Sequence, residues 1–478
     1  MSDRLRLADD ARLQVQYSMR DFLATVRPFI LDASSAIART RNLEESVLRA
    51  IDQHPEMLEL FVVEPRSIAE TFGLRDSYLF GDWKPSELEL MSSTASLGLD
   101  LDTPGALQQV QTLLSCCSAG CYGMADARRM LDDDGVQVLD TLMQLGLVVT
   151  GERRMPQWAP DGVPGIYRLQ HASLLYRTAT TGILVDPHFH SAYGEGIACD
   201  LPRDCVEGKV DAILVSHFHE DHWFLSTLLM FPRDTPIVVP RVPRTSVICG
   251  DMASLLRDCG FTNVLSPEWG GEPLRFGDCE VHVFPFFGEQ PLRFDRPRND
   301  AIRNWGNTYV IRNRYYSSWF LIDSGGDALG TMAAVAEDVR RRIGPIDIVL
   351  SNLRRFSIHG PTYINGGLNW LTLSPKQMLE FVSMASHQIT LGPSGVAEVC
   401  KTVDAKLYLP YAHWWGEVGA EADSAADMPG QHEARLLHEL GECIAALGGH
   451  TKIVPWHIGD GMVPIRAGEF RRRTPAEG

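Results

Sequence analysis

The stretch "ILVSHFHEDHWF", residues 213 to 224, decides how this chain is read. An apolar run ends at Ser216, and the next six positions carry His217, His219, Asp221 and His222. The run "DAILVS" reads as a buried strand that hands these side chains to a loop. A loop is needed, because a continuing strand would send His219 and His222 to opposite faces. Imidazole and carboxylate donors together suit zinc, iron or manganese. Four potential ligands in six residues, straight after an apolar strand, point to a metal nest rather than to scattered surface histidines.

Composition sets the frame around that nest. Of 478 residues, 45% are hydrophobic and 22% charged, the profile of an ordinary soluble protein. No run of about 18 apolar residues occurs, so no membrane span is expected. The beginning, "MSDRLRLADDARLQVQ", is charged and lacks the apolar core of a secretion signal, and a cytoplasmic location follows as the expectation. Ten cysteines are scattered except in "CCSAGC" (Cys116, Cys117, Cys121), which reads as small apolar residues of a helical region, not as a disulfide framework or a redox cluster. The formal charge of −17 repels phosphate backbones and argues against a nucleic-acid partner. Basic residues gather locally at Arg340–Arg342, at Arg471–Arg473 and, more loosely, at Arg293, Arg296, Arg298 and Arg303. Each group reads first as a solvated face.

Two regions differ in pattern. Residues 1–155 read as a mainly helical N-terminal domain. In it "LEESVLRAIDQHPEMLELFV" has helical spacing, and "DDDGVQVLDTLMQLGLVVTGE" reads as a helix, a glycine turn and a short strand, like the end of a winged helix. A DNA-binding role is set aside for want of a basic recognition helix; dimerisation or docking fits better. "RMPQWAPDGVPG", residues 154–165, reads as a linker. In 156–478, "GIYRLQHASLLYRT", "TGILVDPHF", "VDAILVSH", "TPIVVP", "CEVHVFPFF", "NTYVIRN", "SSWFLIDSG" and "IDIVLSN" read as strands, with amphipathic helices in "TMAAVAEDVRRRI", "SPKQMLEFVSMAS" and "GPSGVAEVCKTVD". Two sheets packed between helices are expected.

"HFHEDH" fits the His-x-His-x-Asp-His motif, and from about 160 to 465 the chain resembles the metallo-β-lactamase superfamily. "TGILVDPHF" resembles the opening strands that end in a motif aspartate, here Asp186. "FLIDSGGD" resembles the strand end that supplies a bridging aspartate, here Asp323, and "LYLPYAHWWG" the one that supplies a last histidine, here His413. The resemblance implies an α/β fold, the αββα sandwich, with metals at one edge between the sheets.

One ligand stays open between two residues. Hydrolases of the superfamily usually place a histidine after the strand that follows the motif. Here that segment ends "VFPFFGEQP", residues 283–291, with His282 inside the strand and Glu289 just past its end. The strand end is where the metal edge belongs, which favours Glu289 over His282. A carboxylate is a hard anionic donor that stabilises higher positive charge on a metal, which suits iron in redox chemistry more than zinc. It can also change between one- and two-point coordination and open a position for O₂.

This glutamate-for-histidine pattern resembles the CmlA-type di-iron β-hydroxylases of nonribosomal peptide biosynthesis, in which a domain of similar size also precedes the metal domain. The resemblance implies a non-haem di-iron monooxygenase that activates O₂ to hydroxylate an aminoacyl group, at its β-carbon, held as a thioester on a carrier domain. It implies two iron ions with an oxo or hydroxo bridge, an external electron donor such as an electron-transfer protein, and a homodimer. By motif position, His217, His219 and Glu289 would bind one iron, Asp221, His222 and His413 the other, and Asp323 would bridge. Glu289 and Asp323 are the residues assigned to catalysis. The alternative is a dizinc hydrolase of the same superfamily (a lactonase, thioesterase or phosphodiesterase), which the first motif alone does not separate. Asp186 is a candidate to orient the histidine loop through a hydrogen bond, or else a simple turn residue. His188 and His190 read as loop histidines near that edge, and His171 as a buried, satisfied histidine.

Overall fold

The computed structural model describes residues 4–64, 66–118, 122–151, 162–190, 210–292, 297–356, 364–382, 388–412, 415, 432–466 and 468–474. His413, Trp414, Arg293, Arg296, Cys121 and most of the 154–165 linker lie outside them.

Two sheets face each other. Among the described residues, one has eight strands in the spatial order Val264–Leu265, Ile237–Val238, Ala212–Leu214, Gly182–Val185, Leu174–Arg177, Gly165–Arg168, Gly461–Arg466 and Glu469–Arg473. The other has seven, in the order Leu274–Phe276, Cys279–Pro285, Asn307–Arg312, Ser317–Ile322, Ile348–Ser351, Leu407–Pro410 and Lys452–Ile453. The continuous apolar runs of these strands have a physical cause: both faces are covered. Ile183, Val185, Ala212 and Leu214 turn inward to meet Tyr309, Ile311, Phe320 and Ile322 of the other sheet. Their alternates point out. Leu184, Ile213 and Val215 join the cluster under the helices Leu225–Leu228 and Met252–Asp258. Val310, Trp319 and Leu321 pack under Met332–Arg342, Gly392–Thr402 and Glu433–Ala446. The layering is helix, sheet, sheet, helix, as the αββα expectation has it.

The period-2 alternation also fixes where the chemistry goes. Gly182–Val185 and Ala212–Leu214 are parallel, and so are Ser317–Ile322, Ile348–Ser351 and Leu407–Pro410. Their C-terminal ends therefore emerge in sets, and Cys279–Pro285, antiparallel to Asn307–Arg312, ends beside them. Asp186, His217, Asp323 and Ala412 follow these strand ends. An isolated bridge between His217 and Gly306 joins the two sheets there.

The N-terminal part is rich in helix, led by Ser18–Thr40, Leu43–Gln53, Ala106–Ser118 and Asp133–Gln144. The last ends at Leu145 and Gly146, whose φ of +73° turns the chain into the strand Val148–Thr150, as the glycine turn suggests. An antiparallel sheet of Arg12–Tyr17, Pro85–Met91 and Ser96–Asp100 accompanies the helices. The sequence reading named no strand there, although "SELELM" alternates. The apolar cluster of this part is continuous with the outer face of the first sheet, running from Leu5 through Phe29 and Trp83 to Phe218 and Leu256. Cys116 and Cys117 are buried, free thiols in the helix Ala106–Ser118. Among the described residues no helix is long and apolar enough to cross a membrane.

Candidate metal centre

Three groups of side chains at the sandwich edge bring donor atoms within 4.8 Å of one another: His217, His219 and Glu289; His217, His222 and Asp323; and His171, Asp221 and His222. Glu289 Oε2 lies 2.8 Å from His219 Nδ1 and 3.3 Å from His217 Nε2. Asp323 Oδ2 lies 2.8 Å from His222 Nε2, and Asp221 Oδ2 lies 3.6 Å from the same nitrogen. His217 and His222, with ring centroids 4.3 Å apart, join the two halves. His282 joins none of these groups. It sits mid-strand with Val281 and Val283 facing the inter-sheet core, so its own side chain faces the other way.

The rear nitrogens of the histidines are held so that the front ones converge. Asp186 Oδ1 accepts from the Ser216 backbone N–H at 2.7 Å, and Asp186 Oδ2 accepts from the Ser216 hydroxyl at 2.6 Å and from His222 Nδ1 at 2.9 Å. The Ser216 oxygen in turn stands 2.9 Å from His217 Nδ1, whose N–H it accepts. Both rings are thereby turned with Nε2 toward the carboxylates of these groups, the nitrogen each would offer a metal. Asn304 meets His219 Nε2 at 3.0 Å. Its amide Nδ2 is the atom that faces the ring and donates to Nε2, with Nδ1 turned toward Glu289. His217 is further stacked on Phe286 at 4.8 Å.

Glu289 arrives through a constrained turn. Gly288 has φ +107°, and a Cβ there would stand 2.6 Å from both Gly325 N and Ile389 O, so only glycine fits. Gly288 N–H donates to Asp327, whose carboxylate also pairs with buried Arg303 at 2.7 Å. Arg303 donates as well to the Phe286 carbonyl. Gln290 donates to the Gly288 and Asn304 carbonyls. Left-handed backbone recurs along the edge: Asp186 at φ +40°, Glu289 at +50°, Ile322 at +57° and Ala412 at +66°. For a β-branched residue such as Ile322 this is costly, and strain of this kind collects where a site over-determines the chain.

The electrostatics fit a cation. Burial disfavours a charged His222, yet Asp221 and Asp323, with the Asp186 bond, outweigh it and hold its pKa well above the ordinary value. Burial likewise works against His219, but Glu289 raises it. Burial and the neighbouring His222 push His217 down. Burial would raise Glu289, but His219 and His217 bring it below the usual carboxylate range. His217 Nε2 and Glu289 Oε2 are buried and face each other and His219 in ion-pair contact, without well-formed hydrogen-bond geometry. Three carboxylates that draw protons onto His219 and His222 at a buried cluster form a donor set that a pair of divalent or trivalent ions would fit.

Several participants were not singled out from the sequence. Ser216 and Asn304 carry no motif; the only signal was a serine closing an apolar run. Asp186 does orient the loop, through His222 and Ser216. His171 is buried as expected, but not merely packed: its Nε2 lies 3.3 Å from Asp221 Oδ2. Of the loose arginine group, Arg303 is internal, and Arg298 is tied to Asp76 and to the Leu74 carbonyl.

No family model matches the chain. It is 29% identical over 205 residues to the 4-amino-L-phenylalanyl-[CmlP-peptidyl-carrier-protein] 3-hydroxylase of Streptomyces venezuelae, a match that spans 40% of this chain and only 35% of that protein. It is 28% identical over 186 residues to a UPF0173 protein of Pyrococcus furiosus, across 36% of this chain and 77% of that one. Among solved structures it matches CmlA, a di-iron β-hydroxylase from Streptomyces venezuelae, with a TM-score of 0.58 at 17% identity, covering 99% of this chain and 100% of that one. The fold is therefore shared with CmlA along nearly the whole length, the N-terminal part included.

Proposed function

We propose that the chain is a di-iron oxygenase that hydroxylates an aminoacyl group, at its β-carbon, while that group is tethered to a carrier domain of a nonribosomal peptide synthetase. The observation that carries this reading is Glu289, whose carboxylate stands against His219 and His217 where a hydrolase of the fold would offer an imidazole. The sequence similarity to a hydroxylase named for a carrier-bound aminoacyl substrate supports it.

In this reading His217, His219 and Glu289 would hold one iron and Asp221, His222 and His413 the other, with Asp323 available to both. His171 stands close enough to Asp221 to tune the second position. When bound, the iron pair supplies the four-electron reduction of O₂, with two electrons from the C–H bond and two from an external protein donor; one oxygen atom ends in the new C–OH and the other in water. The chain's own residues prepare for that. Asp186 and Ser216 set the tautomers of His222 and His217. Phe286 and the buried strand ends keep water from the inner side. His219 and Asp221 are the partly exposed members, at 20% and 13%, so substrate approaches over them. The N-terminal part is assigned to dimerisation or to docking of the carrier domain.

Metal analysis with turnover is the test. The expected result is about two irons per chain, by analogy with a two-metal site, and O₂-dependent hydroxylation of a carrier-bound aminoacyl thioester with an external reductant. Two tightly held zinc ions with O₂-independent thioester or lactone cleavage would replace the reading by that of a hydrolase. Glu289→His sharpens the test: an oxygenase loses O₂ chemistry, whereas a hydrolase tolerates the exchange.

A further inference from the structure

The ligand loop has two faces. His217, His219, Asp221 and His222 converge on the metal groups. The residues between and after them, Phe218, Glu220 and Trp223, turn the other way and are held by the N-terminal part. Trp223 Nε1 donates to the Tyr17 hydroxyl at 2.9 Å, with both side chains buried. Glu220 forms an ion pair with Arg20. Phe218 lies edge-on to Trp83 with centroids 4.9 Å apart, and Trp83 itself is anchored by donating to the Ser246 carbonyl at 2.8 Å. Tyr17 and Trp83 also meet edge to face at 5.8 Å, so the grips form one unit. The neighbouring loop is tied in as well: Leu13 N–H donates to the His190 carbonyl at 2.6 Å, and His190 Nδ1 meets the Ala11 carbonyl at 2.8 Å, four residues beyond Asp186.

Local geometry explains why these contacts bear on the metal side. The loop makes one tight turn, with the N–H groups of His222 and Trp223 both donating to the His219 carbonyl. In a turn that short no residue moves alone. Tyr17 ends the strand Arg12–Tyr17 and caps the long helix Ser18–Thr40, and Arg20 sits in that helix's first turn. A strand–helix corner of the N-terminal part is thus seated directly on the back of the ligand loop.

We propose that Tyr17 and Arg20 are positioning residues for the metal centre, gripping Trp223 and Glu220 so that the four ligand side chains of the loop hold their geometry, and that metal retention therefore depends on the N-terminal part. This rests on the metal-centre reading but not on the metal being iron or on the reaction being an oxidation.

The experiment uses the full chain loaded with Co²⁺, whose visible ligand-field band reports coordination, and follows transfer of Co²⁺ to a chelator. Partners that orient ligands are typically worth 10–100-fold in metal affinity, so Tyr17→Phe and Arg20→Ala should each release Co²⁺ about tenfold faster than the parent, with a shifted band. The thermal midpoint of metal-free Arg20→Ala should stay at the parent value, whereas Tyr17→Phe, which leaves the buried Trp223 N–H without its acceptor, should lower it modestly. The exchanged pair Arg20→Glu with Glu220→Arg should release Co²⁺ more slowly than Arg20→Glu alone. Parent-like release from both Tyr17→Phe and Arg20→Ala overturns the proposal, as does faster release matched by a lower midpoint and not rescued by the exchanged pair. Tyr17→Phe removes one oxygen atom and keeps the ring packing, so loss of folding does not obscure the result. A parent chain that takes up no Co²⁺ removes the metal-centre reading itself, a distinct outcome.

Discussion

The two ends of the sandwich use the same kinds of residue to opposite effect. At the end away from the histidines, Asp278 accepts hydroxyls from Thr178 at 2.5 Å, Thr181 at 2.7 Å and Thr180 at 3.3 Å, which staples the Leu174–Arg177/Gly182–Val185 hairpin to the other sheet. Asp347 accepts from Ser317 N–H and Oγ and from Lys406. Tyr316 donates across the sheets to the carbonyls of Gly165 and Arg177. Each of these carboxylates finds protein donors. At the histidine end Asp221, Glu289 and Asp323 face imidazoles whose rear N–H groups are already engaged, and buried donor atoms are left over. A carboxylate answered by hydroxyls is a staple; a carboxylate answered by oriented lone pairs asks for a cation. The difference lies in the partners, not in the acids.

That contrast can be broken at either end. The largest effect is expected from Arg303→Leu, which leaves Asp327 buried without its countercharge beneath the Glu289 turn, held only by backbone N–H groups. Loss of about 3–5 kcal/mol in urea unfolding is expected, together with loss of metal. Retention of both would show that the Glu289 turn does not depend on that pair. Next comes Asp186→Asn, which sets an amide N–H against His222 Nδ1 or Ser216. Metal affinity in a chelator competition should fall by about 10–100-fold, while unfolding of the metal-free chain changes less. At the far end Tyr316→Phe strips a donor from two buried carbonyls and should cost about 1–3 kcal/mol of stability with metal affinity unchanged; a change in affinity would mean the two ends are coupled.

Asp278→Asn is the mildest. The carboxyl is exposed, so solvent screening keeps its contribution below about 1 kcal/mol. Burial would raise its pKa, but the three threonine hydroxyls and the backbone hold it below the ordinary value. A depressed folded-state pKa means that this stability is present above the unfolded value and lost as pH falls through the folded one. The difference between parent and Asp278→Asn, followed by chemical denaturation from neutral to acid pH, should therefore shrink on the acid side and leave metal binding at neutral pH untouched.

Legibility followed distance along the chain. His217, His219, Asp221 and His222 sit in one turn, so their chemistry shows as a local pattern. The strands carrying Asp186, Asp323 and Tyr411 were readable because both of their faces are buried, which makes them near-continuous apolar runs. Glu289 was readable only as a choice against His282, and the register of Cys279–Pro285, which turns His282 away from the inter-sheet core, favours it. His413 falls outside the described residues, so its place rests on the motif alone. Ser216, Asn304 and the Tyr17–Trp223 contact were not legible, because each is made by residues whose types are unremarkable until the chain brings them together.

Residue order along the chain was therefore enough for the strand–loop character of the histidine nest, the two-sheet architecture and the acidic balance. Those properties are local or additive: periodicity, side-chain chemistry and charge. Packing alone decided which nitrogen of His217, His219 and His222 faces the carboxylates, why Gly288 and Arg303 bear on Glu289, and that the N-terminal part grips the back of the ligand loop. These depend on contacts between residues apart in sequence, from 24 positions for Arg303 to Asp327 and 36 for His222 to Asp186 up to 206 for Tyr17 to Trp223, and no short-range pattern encodes them.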